Sequence, residues 1–123
     1  MTLADIKNPY VGTYIASLKI IGAPELKDII SKVCAITKVP EEKLKEKCRK
    51  PDVVFARQMI WRLVKEYKLP ISSVSLGQMF GGKDHSTILF GIKTMTDRIE
   101  VEDETRMTYE QIKKSLRVLS NIH

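Results

Sequence analysis

The chain has 123 residues, 21 Lys and Arg against 15 Asp and Glu, a formal net charge of +6 and 43% hydrophobic content. That length fits one ordinary soluble domain and is too short for a Rossmann or P-loop enzyme plus a second module. No run approaches the ~20 apolar residues of a membrane span, and MTLADIKNPY lacks the basic start and apolar centre of a secretory signal. Cys34 and Cys48 are few and unpatterned, which fits a reducing cytosol. The charge is unevenly placed. Residues 43–68 hold nine basic and three acidic groups, so the whole excess of +6 lies in that window. A basic window of this kind points to an anionic partner, nucleic acid or membrane surface.

Residues 1–22 contain Pro9, Gly12 and Gly22 and read as an N-terminal arm, with Tyr14–Ile21 ambiguous between strand and arm. From residue 23 onward the chain reads as helices. Pro24-Glu25 opens the first, with Leu26, Ile29, Ile30, Val33 and Ile36 at helical spacing. Pro40-Glu41-Glu42 opens a shorter helix around Leu44. Pro51-Asp52 opens the third, because Pro lacks the N–H that has no partner in a first turn. Val53, Ala56, Ile60, Leu63, Val64 and Tyr67 share one face of it, and Pro70 is expected to stop it. Ser72 or Ser73 can cap a fourth helix that runs toward Phe80 and stops at Gly81-Gly82. Asp84 can cap a fifth, with Ile88, Ile92, Met95 and Ile99 inward. The acid-rich stretch Glu100–Glu104 ends it, and a sixth starts near Thr105 with Tyr109, Ile112, Leu116 and Leu119 inward. Two helices joined by Gly81-Gly82-Lys83 have the form of a helix-turn-helix, whose second helix enters a DNA major groove.

Gly77 to Lys83 also spells the first seven positions of a phosphate-binding G-x-x-x-x-G-K loop. The next residue is Asp84 where a Ser or Thr should bind Mg²⁺, and the run follows a Ser-rich helical stretch rather than a strand. The motif is therefore set aside. His85, His123 and the two cysteines lack zinc-ligand spacing, so neither metal nor catalytic centre is expected. On the third helix Arg57, Gln58, Trp61, Arg62 and Lys65 fall opposite the apolar face. They read either as a solvated surface or as a stripe of donors for phosphate oxygens, with Trp61 expected to be partly buried at the seam between the two faces. Lys47-Cys48-Arg49-Lys50 forms a basic loop before that helix, of a kind that can reach a narrow minor groove. A membrane-surface segment would pair its basic residues with an exposed apolar stripe, which here the core requires.

Phe80-Gly81-Gly82-Lys83-Asp84-His85-Ser86-Thr87-Ile88-Leu89 closely resembles the signature of the C-terminal DNA-binding domain (domain IV) of the bacterial chromosomal replication initiator DnaA. Arg57-Gln58-Met59 resembles the family's Arg-Gln-Met run, and Arg49 falls where its basic loop carries an arginine. The resemblance covers about residues 23–120. It implies an all-α, compact domain of about six helices with a Trp-repressor-like helix-turn-helix, spanning 23–123 behind the arm 1–22. It further implies that Asp84, His85, Ser86 and Thr87 meet base edges and that Arg49, in the loop with Lys50, enters the minor groove. Arg57, Gln58, Lys65, Ser72 and Lys83 would hold phosphates or nearby edges. The chain departs from the family at Ser73-Val74, where Leu-Pro is usual, and at Cys48 and Pro51, where basic residues are expected.

The expected function is sequence-specific binding of double-stranded DNA, as in replication initiation and its regulation. The alternative is a protein-interaction or transcription-regulatory module that keeps the fold without an ATPase domain. No enzyme activity, cofactor, bound nucleotide or membrane partner is expected. A separate initiator ATPase is the candidate protein partner, and a cytoplasmic, nucleoid-associated monomer is the expected state.

Overall fold

The computed structural model describes residues 23–121, with side chains through Arg117. The arm 1–22 and the reading of Tyr14–Ile21 lie outside the described residues. Six helices, and no strand, are found among the described residues: α1 (Leu26–Thr37), α2 (Glu41–Leu44), α3 (Pro51–Glu66), α4 (Ser73–Met79), α5 (His85–Val101) and α6 (Asp103–Asn121). The fold is all-α, as the spacing of apolar residues requires.

Local chemistry sets the helix boundaries. Glu25 and Asp28 cap α1 reciprocally: each carboxylate accepts the other residue's backbone N–H, in the capping-box pattern. Pro51 occupies the first turn of α3. That helix ends at Glu66, ahead of the stop expected at Pro70, because Lys68 turns left-handed at φ 54° and Leu69 N–H donates back to the Val64 carbonyl at 3.1 Å. Ser72 is the cap of α4, its hydroxyl accepting from Ser75 N–H at 3.1 Å. Asp84 holds the cap position of α5, yet its side chain makes no cap hydrogen bond; its carboxylate instead accepts from the Ser86 hydroxyl at 3.0 Å. Helix α6 begins at Asp103, two residues ahead of the expected start, with Asp103 and Glu104 in its first turn, where the helix dipole favours acids.

Helix α3 is the axis of the domain and packs against α1, α2 and α5, while α6 closes over α1 and α5. Ile29, Val33, Ala56, Ile60, Leu63, Ile88, Met95, Ile112 and Leu116 fill the centre. Each of these apart from Ala56 contributes about 1.5–3 kcal/mol on leaving water. Burial, and then the charges of Glu41 and Glu42, push the Cys34 thiol up to about 11, so it is a neutral core group near neutral pH. A polar clamp joins the end of α3 to α6. Glu66 accepts from Lys113 at 2.6 Å, from the Tyr109 hydroxyl at 2.5 Å and from Arg62 at 2.9 Å. Burial alone would raise the Glu66 carboxyl. The hydrogen bonds from Lys113 and Tyr109, with the charges of Lys113 and Arg62, hold it below its ordinary value.

The central position of α3 overturns the two-faced reading of that helix. Arg57, placed on its outer face with Lys65, is only 3% exposed, and Trp61, expected to be partly buried at the seam between the faces, is buried as fully, at 3%. Trp61 lies against α5, where Gly91 leaves space: a Cβ there would stand 2.6 Å from Trp61 Cε3. The indole also meets the Phe80 ring edge-to-face at 5.7 Å, which ties α3 to the end of α4.

Candidate nucleic-acid interface

Helices α4 and α5 are joined by a turn that needs its glycines. Gly81 and Gly82 have φ of 87° and 74°, a conformation that disfavours a side chain. Gly81 also approaches the loop after α2 so closely that a Cβ would lie 2.5 Å from the Lys45 carbonyl oxygen. The turn of the helix-turn-helix and the basic loop are therefore packed together. The P-loop-like run is divided by this arrangement. Gly77 to Met79 are helical, and Gly77 is buried where its carbonyl accepts from Lys83 N–H at 2.8 Å. Its first amides thus belong to a helix and not to a loop that wraps phosphate.

The loop of residues 45–50 gets its shape from Arg57. The guanidinium donates to the carbonyls of Leu44 at 2.9 Å, Cys48 at 2.6 Å, Lys43 at 3.1 Å and also Glu46. Four of its five N–H donors are engaged in this way. Lys43 and Leu44 close α2, whose last carbonyls carry partial negative charge. Arg57 was expected among the phosphate contacts; the structure turns it inward and uses it to fold the loop that carries Arg49 and Lys50. Both of those side chains are exposed.

Other expected residues do meet. Arg49, Gln58, Lys83 and Thr87 line one surface hollow of about 320 Å³, together with part of Arg57, Trp61 and Phe90. Burial first, and then the charges of Arg57, Arg49 and Lys47, lower the Lys83 ammonium from its ordinary value. Clustered like charges of this kind are relieved by an anion placed among them. Among the described residues, no acid pairs with Arg49, Lys50, Lys65 or Lys83, whereas Arg98, Arg106, Lys93 and Lys113 all have acidic partners. Arg49 and Lys83, close together on the hollow and without an acidic partner, leave a local excess of positive charge there.

Asp84, His85, Ser86 and Thr87 are all exposed at the start of α5. The hydrogen bond from the Ser86 hydroxyl, above all, keeps the Asp84 carboxyl below its ordinary value, so Asp84 is an acceptor at neutral pH. His85 Nδ1 lies 3.3 Å from the Asp84 carboxylate. Donor, acceptor and methyl groups thus stand together at the tip of a helix, the mixture that base edges in a major groove require. Lys65 is exposed further along α3, and Ser72 caps α4; neither lines the hollow. The sequence reading missed Phe90, an apolar residue outside the inward register of Ile88, Ile92 and Met95. Among the described residues, no group of three or more His, Cys, Asp or Glu could hold a metal ion, and no helix is long and apolar enough to cross a membrane.

An all-α domain with a glycine-hinged two-helix unit, an exposed polar helix start and an unpaired basic loop beside it is a helix-turn-helix protein of the DNA-binding class. Residues 26–95 match the family described as bacterial dnaA protein helix-turn-helix, and the chain belongs to that family. It is 30% identical over 95 residues to the chromosomal replication initiator protein DnaA of Chlorobaculum tepidum, covering 77% of this chain and 19% of that protein. The DnaA of Bacteroides fragilis is 34% identical over 95 residues, 77% of this chain and 20% of the relative. That of Thermus thermophilus is 35% identical over 79 residues, 64% of this chain and 18% of the relative. The chain therefore spans about a fifth of the length of the curated relatives it matches.

Proposed function

We propose that this domain binds double-stranded DNA with sequence preference, at sites of the DnaA-box type, in replication initiation or its regulation. The observation that carries the reading is the hollow in which unpaired Arg49 and Lys83 stand with Gln58 and Thr87 at the foot of α5. The start of α5 enters the major groove, where Asp84, His85, Ser86 and Thr87 face base edges. Arg49, carried with Lys50 on the loop before α3, reaches the adjacent minor groove. Gln58, Lys65, Lys83 and the start of α4 at Ser72 hold phosphates that fix the register. Arg57 acts through the loop as a positioning residue. The names of the relatives, chromosomal replication initiators, supply the biological setting.

The test is fluorescence anisotropy with a duplex containing a DnaA box and a scrambled duplex of equal composition, each titrated over salt. Preferential binding of the first, with affinity falling steeply as salt rises, is the expected result. Equal, salt-independent affinities would reject the reading.

A further inference from the structure

We infer that Phe90 reads thymine, by packing its ring on the C5-methyl group in the major groove. The inference rests on the duplex-binding reading above and assigns a residue that reading leaves unused. Phe90 is 67% exposed. The core does not need it: Ile88, Ile92 and Met95 are the inward residues of α5, and Trp61 and Phe80 supply the buried rings beside it. Phe90 follows Ser86 by one helical turn on the outer side of α5, and it lines the same hollow as Thr87, Arg49 and Lys83.

The cations of that hollow select an anionic occupant, and the polar helix start beside them suits a duplex. A phenyl ring offers no hydrogen bond to a base edge and gains nothing from a phosphate. Within the major groove the one apolar group a base pair presents is the thymine methyl. A ring lining a cationic hollow, one turn beyond the polar tip, thus adds an apolar contact to the polar contacts of Asp84 to Thr87.

The experiment uses the full chain and its Phe90→Ala variant. Duplexes recovered by the wild-type chain from a random library are resynthesised with deoxyuridine replacing thymidine at one position at a time. Deoxyuridine lacks only the methyl group. For the wild-type chain, one substitution should weaken binding about fourfold, the scale of one buried methyl. Phe90→Ala should lose affinity and become insensitive at that position, while any thymine met by Thr87 keeps its effect. An unchanged uridine profile in Phe90→Ala, or a flat profile in the wild-type chain, would overturn the assignment and leave duplex binding intact. A wild-type chain that binds no duplex would remove the duplex reading and this inference with it. Because Phe90 lies outside the core, matched thermal melts of the two proteins exclude misfolding as the cause.

Discussion

Replacing Arg57 by Met separates a residue that shapes the interface from one that touches DNA. Methionine keeps much of the length and apolar bulk and removes every donor. Four carbonyls, those of Lys43, Leu44, Glu46 and Cys48, lose the guanidinium, and of these the Lys43 carbonyl keeps the Glu46 N–H at 3.2 Å. A hydrogen bond to a charged group is worth about 1.5–3 kcal/mol when its partner is removed. The bond to Leu44 is buried and the others are half-buried, so water recovers part of the rest. The expected loss is about 2–4 kcal/mol, which leaves a domain of ordinary stability folded. Urea unfolding followed by Trp61 fluorescence measures it. Binding should weaken as well, because two or three loop residues must be ordered again at about 1–2 kcal/mol each, a loss of about 30-fold or more. The slope of log affinity against log salt should stay as in the wild type. Arg57→Lys should recover only part of both losses, since one ammonium cannot span carbonyls spread over residues 43–48. Wild-type stability together with a slope reduced by about 0.9 would mean that Arg57 neutralises a phosphate, and would refute the positioning role.

Other substitutions probe separate parts of the molecule. Arg49→Ala should cost about 1–3 kcal/mol on the preferred duplex and relax sequence preference, whereas Lys65→Ala should weaken all duplexes alike and lower the salt slope by about one; competition binding at two salt concentrations distinguishes them. Glu66→Gln should destabilise the fold by about 1–3 kcal/mol at neutral pH, because Lys113 loses the charge it faces. The folded Glu66 carboxyl lies below its ordinary 4.5, so its stabilisation is full above that pH and is lost as pH falls through the lowered value. The gap between wild type and variant in urea melts should accordingly narrow in acid, and a constant gap would exclude the carboxylate as its source. Gly91→Ala should cost about 1–3 kcal/mol by forcing Trp61 aside, and an unchanged melting temperature would contradict that packing.

Much of this architecture is legible in the sequence because punctuation and periodicity are local. Pro51 opens α3, Ser72 caps α4, Gly81-Gly82 makes the turn, and the inward spacing of Ile88, Ile92 and Met95 survives intact. What escapes is decided by packing between distant elements. Periodicity divides α3 into an apolar and a charged face, but the helix is enclosed on nearly all sides. Trp61 is drawn inward by the absent side chain of Gly91, and Arg57 by loop carbonyls 9 to 14 residues earlier in the chain. Neither partner stands at helical spacing, so no pattern within α3 predicts either. The location of the basic loop beside the turn was likewise hidden, because it depends on the missing Cβ of Gly81 against the Lys45 carbonyl.

That last contact makes the domain a gauge of length. With the loop folded over Arg57 and its Lys45 carbonyl against the hinge glycine, the backbone that carries Arg49 is tied to the turn before α5. An extra base pair between the two bound segments would displace one of them by about 3.4 Å along the duplex and rotate it by about 35°. Neither half of the clasp could follow without tearing the other loose. On the proposed reading, the spacing of a site is then selected as strictly as its letters, by a stiff joint that itself reads no base.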